Sequence, residues 1–126
     1  MNGADNLAEA WIQLHHIPKE SRRSSKYDEL FWSWAKLTEM CKGTPETAWD
    51  TIQEIIRRDH SDQILANIGA GPFEDLMGSH GAQFINRVEN CARTNPAFKR
   101  MLGIVWKNSI PDDLWIRIQA IAPPSW

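Results

Sequence analysis

Long apolar runs are absent from this sequence: none approaches the ~20 residues that a helix needs to span a bilayer. Its first residues, MNGADNLAEAW, lack the basic and apolar regions of a secretory signal. Neither sign of charge dominates, because 16 acidic and 14 basic residues are mostly interleaved and give a formal charge of −2. Such a balance produces no long-range field that favours nucleic acid or an anionic membrane. We therefore expect a cytoplasmic protein with no membrane partner.

The patterns of common metal and cofactor sites are missing as well. The sequence contains no CxxC and no HExxH, and His15 and His16 are adjacent rather than one helical turn apart. The glycines of residues 69–81 have neither the spacing of a phosphate-binding loop nor a preceding strand. Cys41 and Cys91 have no partner cluster and are predicted to be free, buried thiols on helix faces. We expect no metal and no cofactor.

What the sequence does contain is a helical pattern. No segment alternates apolar and polar residues with the period of a strand, whereas apolar residues recur at intervals of three and four. Three pairs join a helix-capping residue to a proline suited to the first helical turn: Thr44-Pro45, Gly71-Pro72 and Asn95-Pro96. The sequence therefore predicts one all-α domain, residues 1–126, with about seven to eight short antiparallel helices. These would form a compact bundle or a short stack of HEAT-like helical hairpins.

Two segments are predicted to lie outside the helices. Residues 17–26, IPKESRRSSK, have little apolar content and are predicted to form an exposed basic loop. Its basic side chains are Lys19, Arg22, Arg23 and Lys26. Residues 122–126 form a proline-containing tail that cannot continue a helix. The loop and Arg57-Arg58 could contact nucleic acid, but acidic neighbours and the lack of interleaved aromatic residues in the loop make this a minor alternative.

Tryptophan is the one compositional oddity, with seven residues. Its side chain covers large apolar areas in cores and at interfaces. Five tryptophans fall on apolar helix faces and are predicted to be core residues: Trp11, Trp34, Trp49, Trp106 and Trp115. Trp32 lies about 200° around the helix from Trp34 at ~100° per residue, so it is either covered by the first helix or exposed. Trp126 ends the tail and either lies on the domain or projects from it. If exposed, Trp32 or Trp126 would mark a surface that binds a partner.

The densest polar chemistry lies in residues 70–85, AGPFEDLMGSHGAQFI. Pro72 suits the first position of a helix, and Glu74 and Asp75 then fall in its first turn, where the helix dipole favours negative charge. Gly78 and Gly81 bracket His80, so we expect a short helix, a Gly-His-Gly turn and a second helix. A carboxylate beside an imidazole could perform general acid–base chemistry, but the structural interpretation, a capped helix and a hinge, is favoured.

Several stretches together resemble a known family: AWI (10–12), PETAW (45–49), AGPFEDLMGSHG (70–81), FINRVE (84–89), NPAFKRMLGIVW (95–106) and LWIRIQ (114–119). The family is one of small helical bacterial proteins described only as a domain of unknown function. Its most specific part is the Gly-Pro-apolar-Glu-Asp-Leu stretch followed by His-Gly, with Phe73 where similar sequences usually have Leu. The resemblance implies a bacterial origin and an all-helical fold. It marks Glu74, Asp75 and His80 as the positions to watch, and it implies no activity.

Three hypotheses about function follow from these features. The first is a non-enzymatic module that binds another protein, with an immunity or inhibitor role as its most concrete form. Its binding residues would include Trp32, Trp126, His80, Glu74 and Asp75. The second is a small hydrolase or transferase that uses His80 with Glu74 or Asp75 in a cleft. The third is nucleic-acid binding through residues 19–26 and 57–58.

Overall fold

The computed structural model describes the backbone of residues 3–126 and the side chains from Asn6 onward. This part of the chain forms seven α-helices, one short 3-10 helix at Lys19–Ser21, and no strand. The α-helices are α1 (Gly3–His16), α2 (Ser25–Gly43), α3 (Pro45–Arg58), α4 (Asp62–Gly69), α5 (Pro72–Thr94), α6 (Pro96–Leu102) and α7 (Asp112–Ile121). The predicted all-α class is confirmed. No helix in the described region is both long and apolar enough to cross a membrane.

Three helices begin at the predicted prolines, but of Thr44 and Asn95, the two predicted capping side chains before them, only Asn95 accepts a capping hydrogen bond. Pro45, Pro72 and Pro96 each occupy the first turn of a helix, as their spacing predicts. The Asn95 side chain caps α6 by accepting hydrogen bonds from the backbone N–H groups of Ala97 and Phe98. Local residue choice therefore fixes where these helices begin.

Helix α5 lies at the centre of the packing. It contacts α2, α3, α4, α6 and α7, while α1 packs against α2, α3 and α4. In a stack of helical hairpins each unit would contact only its neighbours along the chain. The observed arrangement is therefore a bundle around α5, the first of the two predicted architectures.

An aromatic cluster joins α5 to its neighbours in the core. The Trp49 ring from α3 stacks on Phe84 with centroids 5.4 Å apart and meets Phe98 at 5.8 Å. Phe73 contacts the same Phe98 edge-on at 5.8 Å. All four side chains are buried, so these rings fasten α3, α5 and α6 together.

A second, smaller cluster lies apart from this core. It consists of Ala10, Leu14 and Leu30, with Ile17 and Tyr27 packed against it. It joins the end of α1 to the start of α2 beneath the basic loop.

The predicted break between two helical parts does fall at His80, but it is a kink rather than a glycine turn. The chain runs from Pro72 to Thr94 as α5 with a kink, and the non-helical residue is His80 (φ −138°, ψ 24°). No glycine in the described region has a positive φ. Gly78 and Gly81 instead permit close approach: a Cβ on Gly81 would lie 2.6 Å from Cδ1 of Leu114, and one on Gly78 would collide with the Ser109 side chain. The glycines thus let the α6–α7 connection and α7 pack directly on α5.

Candidate functional site

His80 lies at the junction of two helices. Its Nε2–H donates a hydrogen bond to the backbone carbonyl of Lys42, 2.7 Å away in the last turn of α2. Carbonyl groups at a helix end have no partner within the helix, so the imidazole supplies one. The break in α5 thereby places His80 against the end of α2.

The two carboxylates five and six residues earlier face different neighbours. Glu74 accepts a hydrogen bond from the side-chain amide of Asn108, in the connection between α6 and α7. Burial, with the nearby charge of Asp75, raises the pKa of Glu74 above its usual value. Burial also raises the pKa of Asp75, while the positive charge of Lys42 at the end of α2 opposes that rise. Within residues 6–126, no hydrogen bond joins either carboxylate to His80.

A shallow depression of about 320 Å³ borders His80, between residues 78–83 of α5 and the start of α7 at Pro111 and Leu114. The contacts made by Glu74, Asp75 and His80 connect α5 to α2 and to the α6–α7 connection. These contacts account for the three side chains in structural terms, because they connect three parts of the fold.

Arginine–carboxylate pairs fasten the far half of α5 to other helices. Arg87 forms two hydrogen bonds with Glu46 of α3, at 2.5 and 2.7 Å. Arg117 of α7 donates its Nε–H to Glu89 at 3.1 Å. These charged groups are therefore engaged in packing contacts between helices.

The cysteines are free thiols, as the sequence predicts, with Cys41 buried and Cys91 half-buried. The Cys41 thiol donates to the carbonyl of Pro72 at 3.3 Å, and burial raises its pKa to about 12. In the part of the chain with described side chains, no three His, Cys, Asp or Glu residues converge as metal ligands would.

The predicted core positions of two tryptophans are wrong. Trp11 and Trp49 are buried and Trp115 packs on the core, but Trp34 is 45% exposed and Trp106 is 69% exposed. Trp34 lies about 60° around α2 from the buried Leu37, at ~100° per residue. The fully buried Ser33, whose hydroxyl donates to the Leu30 carbonyl at 2.7 Å, lies on the core side instead.

Trp32 and Trp126 have different surroundings. Trp32 is 48% exposed on α2. Trp126 folds back onto the protein: its indole N–H donates to the carbonyl of Arg100 at 2.7 Å, and the Arg100 guanidinium lies 4.2 Å from the ring centroid. The tail thus ends in a packed contact, and Trp32 remains on the surface.

Beside α2 the structure forms a groove of about 520 Å³, here called the α2 groove. It lies between the end of α1, the 17–26 connection, α2 and α4. Its lining residues are Leu14, His15, Ile17, Pro18, Lys19, Arg22, Tyr27, Phe31, Trp34, Gln63 and Asn67.

One wall of the α2 groove is aromatic. Tyr27, Phe31 and Trp34 follow one another along α2, with centroid distances of 5.9 Å and 5.4 Å between successive rings. Phe31 is 42% exposed. The spacing of four and three residues puts these rings on one side of the helix, and that spacing is the sequence signal that could have revealed the groove.

Another part of the lining combines a fixed imidazole with basic side chains. His15 stacks on Trp11 with centroids 3.7 Å apart, and its Nδ1–H donates to the Trp11 carbonyl at 2.8 Å. Burial lowers the pKa of His15, and the positive charge of Arg22 lowers it further. Lys19 and Arg22, the ionised residues of this lining, are both positive. The folded chain therefore places aromatic rings beside the basic loop, although the loop's own sequence contains none.

This fold and these surfaces define a class of small all-α protein: a helical bundle around a kinked central helix, with an open aromatic and basic groove at one side. The chain belongs to a family of unknown function, DUF6869, whose model matches residues 20–125. The predicted membership of an uncharacterised domain family is confirmed. No match was found among curated proteins or among solved structures.

Proposed function

We propose that the protein is a non-enzymatic interaction module of the bacterial cytoplasm that binds a protein partner, most concretely as an immunity or inhibitor protein. The observation that supports this most is the surface of α2. Phe31, Trp32 and Trp34 fall within four consecutive residues, and each leaves between 42% and 48% of its surface in solvent. Aromatic residues, Trp above all, dominate the binding energy of many protein interfaces.

The alternative functions receive less support from the contacts. His80 donates to a backbone carbonyl and Glu74 turns to Asn108, so a carboxylate–imidazole pair is not assembled at that corner. Arg57 and Arg58, considered for nucleic-acid binding, are both paired with Glu54. A binding surface on α2 requires neither the His80 corner nor Arg57 and Arg58.

Affinity capture from the native host tests the proposal. The full chain should recover one stoichiometric protein, and Trp32→Ala or Trp34→Ala should reduce its recovery about tenfold, as expected for interface hot spots. Trp106→Ala is the control, because it removes an indole that is more exposed, at 69%, and lies outside α2, in the connection between α6 and α7. Far-UV circular dichroism of each variant verifies folding.

Two results would contradict this function. One is the repeated recovery of no stoichiometric partner. The other is a partner whose recovery is unchanged by Trp32→Ala, by Trp34→Ala and by their combination.

A further inference from the structure

We infer that the α2 groove binds an acidic segment of a protein, placing an apolar side chain against the α2 rings and carboxylates against Lys19 and Arg22. This inference rests on the proposed protein-binding function and specifies the kind of partner segment. It uses Lys19 and Arg22, which line the groove together with the aromatic rings of α2.

The apolar part of the inferred site is already formed. Phe31 and Trp34 present a stacked pair of rings, and Leu14 and Ile17 from the smaller hydrophobic cluster also line the groove. The volume of about 520 Å³ falls in the range of ~300–1,000 Å³ that is typical of ligand sites. An apolar side chain seated here would meet apolar lining residues from both α1 and α2.

The charges of the groove select the sign of the occupant. Lys19 and Arg22 line it, no carboxylate does, and neither residue takes part in an ion pair within residues 6–126. In contrast, the arginines that join helices elsewhere, Arg87 and Arg117, are paired with Glu46 and Glu89. The two cations of the groove are therefore available to carboxylates of a partner.

An acidic peptide fits these features better than nucleic acid does. A single strand is held by a continuous basic track along several phosphates together with stacked bases. Here two cations line the groove, and the chain has a formal charge of −2. Two carboxylates flanking one apolar anchor would match the lining without requiring a longer basic surface.

The inference is tested by selecting peptides from a random phage-displayed library on the immobilised full chain. Enriched peptides should combine at least two Asp or Glu residues with a neighbouring aromatic or aliphatic residue. A synthetic enriched peptide should bind at least about tenfold more weakly after Trp34→Ala or after Lys19→Glu with Arg22→Glu. The matched control, Arg23→Glu with Lys26→Glu, makes the same change of charge at two nearby residues that do not line the groove, one in the connection and one in the first turn of α2.

Several results would overturn the inference. These are enrichment of peptides without acidic residues, no enrichment at all, or equal weakening by the control charge reversals. Another such result is the binding of a short oligothymidylate in a manner that depends on Lys19 and Arg22, with no peptide enriched. That result would show that the ligand of the groove is nucleic acid and not a peptide. A dimer seen by sedimentation and dissociated by the Lys19 and Arg22 reversals would show that a second copy fills the groove.

The outcomes separate this inference from the broader function. A captured partner that depends on Trp32 or Trp34 but is indifferent to the Lys19 and Arg22 reversals leaves the interaction function standing and removes the acidic-segment inference. Failure to capture any partner would refute the proposed interaction function. The peptide selection would still show which peptides the groove binds.

Discussion

Replacing Trp126 by alanine should destabilise the protein, because this side chain attaches the tail to α6 and its C-terminal end through three kinds of contact. Its indole N–H donates to the Arg100 carbonyl at 2.7 Å, and the Arg100 guanidinium lies 4.2 Å from the ring centroid. The ring also lies against the backbone of Gly103, where an added Cβ would come within 2.9 Å of it. The variant removes all of these contacts at once.

The size of the effect follows from these contacts. A hydrogen bond contributes about 1 kcal/mol net, and a cation–π contact at an exposed site about 0.5–1 kcal/mol. Covering about 100 Å² of the indole contributes about 2.5 kcal/mol at ~25 cal/mol per Å². Because compact unfolded chains already bury part of this area, we expect the free energy of unfolding to fall by about 2–4 kcal/mol.

Urea denaturation followed by far-UV circular dichroism measures this loss without relying on tryptophan fluorescence. Trp126→Phe keeps an aromatic ring but removes the pyrrole atoms Cδ1 and Nε1 that contact Gly103 and Arg100, so its loss should exceed the ~1 kcal/mol of the hydrogen bond and remain below that of Trp126→Ala. Trp106→Ala removes a ring that is 69% exposed and should change stability by less than about 0.5 kcal/mol. If Trp126→Ala is as stable as Trp106→Ala, the packed-tail interpretation is refuted, and Trp126 becomes available again as a partner contact.

Three further outcomes are expected. Burial raises the pKa of Asp75 in the folded protein, so the ionised form of this side chain opposes folding at neutral pH. The variant Asp75→Asn should therefore have a higher Tm than the parent protein at pH 7. This difference in Tm should vanish as the pH falls below about 3.9, where the carboxyl is protonated in both folded and unfolded chains. Cys41, with its pKa raised to about 12, should react with Ellman's reagent at pH 8 only at the rate of unfolding, and fast labelling of both thiols of the folded protein, rather than of the half-buried Cys91 alone, would contradict its burial. Gly81→Ala crowds Leu114 and should destabilise the protein by about 1–3 kcal/mol in urea titrations. The control Gly43→Ala should not destabilise it, because nothing lies within 4 Å of the added Cβ. Equal effects of the two variants would refute the close-approach explanation.

Features set by neighbouring residues could be predicted from the sequence. The starts of three helices follow from Pro45, Pro72 and Pro96, and the absence of period-two patterns predicts the all-α class. The family resemblance is also confirmed by the match over residues 20–125. These successes concern the local preferences of the chain.

The predictions that were wrong concern features that depend on contacts between residues distant in the sequence. The kink at His80 is stabilised by a carbonyl 38 residues away, at Lys42, which no local pattern reveals. Trp34 belongs to the apolar pattern of α2, but the helix packs through the small Ser33, and the larger ring remains at the surface. The α2 groove was missed because its lining also includes the end of α1 and Gln63 and Asn67 of α4, which come beside the aromatic residues of α2 only after the helices have packed.

The smaller cluster of Ala10, Leu14 and Leu30 has a consequence for how the groove responds to an occupant. Segments with few buried apolar contacts open locally at a lower free energy than the main core does. Backbone amides at the end of α1 and in residues 17–24 should therefore exchange with deuterium faster than those of α5. An occupant at 100 times its Kd would raise the free energy of opening by about 2.7 kcal/mol if it binds only the closed form. Amide exchange beside the groove would then slow about a hundredfold, which makes this segment a direct reporter of occupancy.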